Sequence, residues 1–198
     1  MKRIVRGLVF GLALSSALAT ASGPQAGGTA TIALWQEPEN LNPYLAIQTV
    51  SRVLRGQTLE GLFEVDPDGN FVPVLAAEIP TAENGGVSAD GKTVTVRLKE
   101  GLTWQDGHPL TSEDIRFTWQ VVMDEANPVS SRTGYDQITA VETPDDRTAV
   151  ITFSEIYAPY LTLFSVDKAV LPAHYFGGDT DVSRSEFNRV PEGTGPWM

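Results

Sequence analysis

No cysteine occurs in these 198 residues, and histidine occurs only twice, as His108 and His174. Without cysteine there is no disulfide, no thiolate nucleophile and no acylated cysteine to tether the chain as a lipoprotein. A transition-metal site would have to be built from carboxylates and two imidazoles that lie far apart in the sequence, so no metal site is expected. His108, between the turn residue Gly107 and Pro109, reads as an exposed loop residue. No Gly-x-Ser-x-Gly elbow occurs, and no spacing suggests a Ser, His and Asp arrangement, so no catalytic residue is assigned and no cofactor is expected. Basic residues are also few: 14 Lys+Arg stand against 25 Asp+Glu, a formal charge of -11, which argues against nucleic acid or anionic lipid as a partner. Long apolar runs are missing too. The most apolar stretch, residues 8–18, is too short to span a bilayer.

That stretch has a different explanation. Lys2, Arg3 and Arg6 precede it and the small residues 17–21 follow it, the pattern of a secretory signal peptide over residues 1–21. Cleavage would leave 11 basic residues against 25 acidic ones, a charge of -14. The mature chain is expected outside the cytoplasmic membrane, periplasmic or extracellular, with no stable membrane insertion. It is long enough to bury a core of its own.

After a small-residue linker, residues 29–35 read as a strand, followed by a Pro- and Asn-rich loop over 36–43. A helix is expected near 47–59 with Val50, Val53 and Leu54 on one side. Residues 62–65 and 71–74 form a hairpin around Asp66-Pro67-Asp68-Gly69, and 138–142 pairs with 149–153 across Pro144-Asp145-Asp146. A short helix is expected over 159–164, with Pro159 in its first turn. Interleaved strands and helices give an α/β or mixed α+β class.

Residues 87–122, VSADGKTVTVRLKEGLTWQDGHPLTSEDIRFTWQVV, are the most legible part. Asp90-Gly91 marks a turn, and residues 93–98 alternate, with Val94, Val96 and Leu98 on one face. Gly101 and Asp106-Gly107 allow two further reversals, and Trp104 between them is expected to fold over the core. Thr111 is a good N-cap, Asp114 completes a capping box, and Leu110 with Ile115 makes a hydrophobic staple. The helix is expected to be largely buried, with Pro128 forbidding its continuation.

The run EGLTWQDGHPLTSEDIRFTW within that segment resembles the signature of the family 5 extracellular solute-binding proteins, which bind peptides, dipeptides or nickel for ABC importers. EPENLNPYLA (37–46), LEGLFEVDPDGNFVPVLA (59–76), ITAVETPDDRTAVITFSEIYAPYLTLF (138–164) and GTGPW (193–197) are similar to further family elements in the same order. The resemblance implies a periplasmic-binding-protein-like fold: residues 22–59 start the first ligand-binding lobe, 60–190 form an additional α+β domain, and 191–198 return to the first lobe. The second lobe of relatives would lie beyond this sequence, so a truncated receptor is expected. Its implied partners are a small solute, peptide-like by preference, and an ABC permease and ATPase complex.

Several motifs read otherwise than they look. Residues 86–93, GVSADGKT, match the phosphate-loop pattern, but a loop precedes them and a strand follows, so nucleotide binding is rejected. Asp66, Asp68 and Gly69 imitate a calcium loop, whose bidentate Glu would fall on Ala77. Glu113-Asp114 and Asp145-Asp146 are explained by a helix start and a turn. Trp35, Trp104 and Trp119 are expected in the core. The solute-binding candidates are Glu37, Asn40 and Tyr44, at the carboxyl end of the first strand, and Trp197, which could stack on a solute or close a core. Asn40 and Asn42 also fit the bland reading of turn residues bonding their own backbone. A secreted module that docks on a partner protein, and a secreted hydrolase, remain as alternatives.

Overall fold

Residues 33–165 and 167–195 are described by the structure, a computed structural model. The predicted signal peptide, residues 29–32 of the expected first strand, and Trp197 lie outside them. Residues 33–35 are not in a strand. From Leu34 onward the chain makes one compact unit.

The alternation of residues 93–98 produces strand β3 (Thr93–Arg97), whose Val94 and Val96 are buried. It follows the hairpin β1 (Phe63–Val65) and β2 (Phe71–Pro73). Asp66 builds the turn of that hairpin: its Oδ1 accepts the Asp68 and Asn70 N–H groups at 2.9 and 2.8 Å. The calcium-like residues therefore serve a turn. β4 (Ile138–Asp145) and β5 (Thr148–Phe153) form the second hairpin, and the antiparallel sheet runs β3-β5-β4. Its turn falls at residues 145–148, one step beyond the expected Pro144. Pro144 itself lies within β4, and β4 is an edge strand, where the proline ring and absent N–H interrupt no ladder.

Helix α1 covers Thr49–Thr58 and α2 covers Ser112–Met123. The Asp114 carboxylate accepts the Thr111 N–H at 2.8 Å in the expected capping box, and Leu110 and Ile115 are both buried. Ile115, Phe117, Val121 and Val122 join Ile138, Val141, Ala149, Ile151 and Phe153 in the core, so α2 covers the sheet. Its end is not set by Pro128. Asn127 donates Nδ2 to Val121 O at 2.9 Å and Arg132 donates Nε to Val122 O at 2.9 Å, so side chains satisfy the last carbonyls several residues earlier.

Three further expectations are corrected. In α1 the buried residues are Val50, Ser51 and Arg55, while Val53 is exposed; the Arg55 guanidinium donates to Ala46 O at 3.0 Å, satisfying carbonyls of the preceding loop. Residues 160–162 form only a single 310 turn after Pro159. Trp104 is buried and Trp119 packs partly buried against the core, but Trp35 is 68% exposed.

Candidate functional site

The loop over residues 36–47 holds itself in shape with short amide side chains. Asn40 Oδ1 accepts the Asn42 N–H at 2.7 Å, and Asn42 Oδ1 accepts the Tyr44 N–H at 3.0 Å, two consecutive Asx turns. Asn42 is buried and donates Nδ2 to Asn188 Oδ1 at 3.2 Å, while Leu41 N–H donates to Asn188 O at 2.7 Å. Asn188 is anchored in turn, donating Nδ2 to Val182 O at 2.9 Å and to Ser183 O at 3.1 Å. Two chain segments far apart in sequence are thereby joined. Between them lies an open depression of about 600 Å³ lined by Glu37, Pro38, Glu39, Leu41, Asn188 and Arg189. Glu39 is positioned by the start of α1, since Gln48 Nε2 donates to its Oε2 at 3.0 Å and Gln48 Oε1 accepts its N–H at 3.1 Å. Its lining includes two acids, Glu37 and Glu39, and one base, Arg189.

Of the four predicted site residues, Glu37 lines this depression and Asn40 shapes the loop beside it. Tyr44 is a core residue: it is fully buried, its hydroxyl donates to Ala169 O at 3.0 Å, and its ring meets Tyr135 edge-on at 5.9 Å. Burial pushes the Tyr44 phenol well above its ordinary value and that of Tyr135 up to about 12. The phenol that the sequence offered to a solute closes the loop onto the core instead. Trp197 lies outside the described residues. Asn188 and Arg189 were missed, because nothing local in residues 186–190 distinguishes them from a polar loop.

A second cluster also escaped the sequence. The turn over residues 104–109 brings Asp106 beside His108, and the segment after Pro172 delivers His174 to the same carboxylate. Asp106 Oδ2 lies 2.8 Å from His108 Nδ1 and 2.9 Å from His174 Nε2. The two imidazoles, expected to be distant, stack with centroids 4.3 Å apart and planes at 19°. The Asp106 carboxyl is held down at about 2, first by the His108 backbone N–H at 2.9 Å and then by the two rings. Among the described residues the hydrogen-bond partner of both imidazoles is the Asp106 carboxylate.

The phosphate-loop lookalike has no helix to open. Ser88 Oγ donates to Asp90 Oδ1 at 2.6 Å and Lys92 Nζ donates to Ser154 O at 3.0 Å, so its polar groups serve the turn into β3 and the neighbouring chain.

Residues 70–198 match the model described as bacterial extracellular solute-binding proteins, family 5 Middle. Protein XP55 of Streptomyces lividans is 32% identical over 178 residues, which is 89% of this chain and 30% of that protein. The oligopeptide-binding protein OppA of Bacillus subtilis is 33% identical over 128 residues, 61% of this chain and 22% of that protein. Among solved structures, the Bacillus subtilis oligopeptide-binding protein AppA in complex with a nonapeptide superposes with a TM-score of 0.72 at 23% identity, over 82% of this chain and 32% of that one, a likeness of fold. The chain thus spans about a third or less of the length of these relatives.

Proposed function

The chain belongs to the bacterial extracellular solute-binding proteins of family 5, and on that premise we propose that it contributes part of the solute-capturing component of an ABC importer. The solute is peptide-like, taken up outside the cytoplasmic membrane and passed unchanged to a permease driven by an ATPase. No reaction is assigned to the chain. Among the described residues no helix is long and apolar enough to cross a membrane.

The observation that carries this reading is the depression beside the first loop. It places Glu37 and Glu39 in one cavity with Arg189, an arrangement suited to a small solute bearing both an ammonium and a carboxylate. We assign residues 22–59 and 191–198 to one ligand-binding lobe and 60–190 to an additional domain beside it. In support, Gly195 N–H donates to Thr58 O at 2.9 Å, bringing the late segment back to the end of α1.

A receptor that closes over its solute surrounds it from both sides, whereas the depression lined by Glu37, Glu39 and Arg189 is open. We therefore assign the depression to one wall of the solute site, and expect these 198 residues by themselves to bind di- and oligopeptides with a Kd no tighter than about 1 mM in calorimetric titration. Micromolar binding would overturn the one-wall assignment. If the same depression serves the longer receptor, Arg189→Ala and Glu37→Gln made there should each weaken peptide binding about tenfold or more, and unchanged affinity in both would remove the depression from the site.

A second reading is favoured by Trp35, Ile47, Val53 and Val190, large apolar side chains left exposed. A secreted module that docks on a partner protein would use such side chains. Size-exclusion of the purified chain separates the two, since a stable monomer or a defined complex supports the module and aggregation supports a portion of a receptor.

A further inference from the structure

The two histidines of the chain converge on one carboxylate, although 65 residues separate them in the sequence. We propose that Asp106, His108 and His174 form a metal site for a borderline divalent cation such as Zn²⁺, held by two imidazole nitrogens and one carboxylate oxygen, with a remaining position for water or an external donor.

The donor set suits this class of ion. Imidazole and carboxylate together favour Zn²⁺, Co²⁺ or Ni²⁺, whereas the thiolates that would select softer ions do not occur in the chain. The geometry is close to what such an ion needs. One ligand atom from each residue lies within 4.8 Å of the others. The two nitrogen-to-oxygen separations, 2.8 and 2.9 Å, need open only to about 3.3 Å, the edge of a tetrahedron with bonds of about 2.0 Å. Small side-chain rotations supply that change at a surface where the His108 side chain is well exposed and those of Asp106 and His174 partly so.

The backbone beneath the cluster is already ordered, which lowers the cost of gathering the ligands. Gly107, at φ 89°, lets the chain reverse between two of them, and the turn closes through Trp104 N–H to His108 O at 2.8 Å. The third ligand is positioned through its neighbour, since Ala173 N–H donates to Asp114 Oδ1 at 2.8 Å. Asp114 also receives Trp104 Nε1–H on its Oδ2 at 3.4 Å. One buried carboxylate at the start of α2 thus anchors both segments that carry the ligands. The competing possibility is a metal-free His-Asp-His cluster that merely fastens the late segment to the turn.

The test uses the full chain without a polyhistidine tag, so that these are its only imidazoles, and titrates it with Zn²⁺ while following the histidine ring signals by NMR and heat by calorimetry. Both rings should shift together and saturate at one equivalent, and the thermal midpoint should rise with Zn²⁺. His108→Ala, in an exposed turn, and Asp106→Asn should each weaken binding by more than about tenfold and abolish that rise, with far-UV circular dichroism unchanged. Absence of saturable binding at a Kd below about 1 mM would overturn the proposal and leave the fastening role. So would binding that the two substitutions leave unaltered, which would place the ion on other carboxylates.

Discussion

Asp114 ties three parts of the structure together. Its Oδ2 accepts from Thr111 N–H and Trp104 Nε1–H and its Oδ1 from Ala173 N–H, so one carboxylate caps α2, holds the indole and fixes the chain beside His174. Both oxygens are acceptors, so an amide in either orientation sets an NH₂ against a donor. Asp114→Asn is therefore expected to destabilise the fold by about 1–3 kcal/mol in chemical denaturation. Asp68→Asn, at an exposed turn, should change stability by less than about 0.5 kcal/mol. Equal effects would show that Asp114 acts only as a local cap. The capping role is visible in the sequence from the Thr-x-x-Asp spacing. The bond to Ala173 is not, because a contact over 59 residues leaves no local pattern.

At the scale of elements, turns are built by aspartates that bind their own loops. Asp66 accepts from Asn70 N–H, Asp90 from Ser88 Oγ–H, Asp145 from Arg147 N–H and Asp181 from Ser183 Oγ–H, while Asp124 accepts Thr180 Oγ1–H from a segment 56 residues away. These bonds favour the ionised form, and all five carboxyls are held below the ordinary value of 3.8. A carboxyl depressed in the folded state takes up its proton first in the unfolded chain, so its stabilisation is full above that ordinary value and is lost as pH falls through the folded values. Asp114 runs the other way: burial raises it, so its contribution is greatest below its unfolded value and fades as pH rises. With these five and Asp106, held at about 2, against one, the thermal midpoint should drop as pH is lowered from about 5 to about 2. Asp66→Asn should flatten that drop, and an unchanged slope in this variant would show that the turn bonds do not contribute.

For the whole molecule, the decisive joins are between segments remote in sequence: Asn42 with Asn188, Tyr44 with Ala169, and residues 193–195 with the end of α1. The last join requires glycine. A Cβ at Gly193 would overlap the Thr58 carbonyl oxygen, whereas one at Gly56 meets nothing within 4 Å. Gly193→Ala should cost about 1–3 kcal/mol, while Gly56→Ala, inside α1, should stabilise by about 0.5–1 kcal/mol. Comparable unfolding midpoints for the two variants would refute a close approach at Gly193. By itself the sequence determined the mixed α+β class, the alternation of β3, the two hairpins, the capped helix α2 and the family, because each rests on side-chain periodicity, turn residues or caps within a few neighbours. Only the tertiary structure decided that Tyr44 is core, that Arg189 faces the same depression as Glu37, and that His108 and His174 share Asp106. Those outcomes depend on which distant segments pack together, and long-range packing is chosen by burial and hydrogen-bond satisfaction summed over the whole fold.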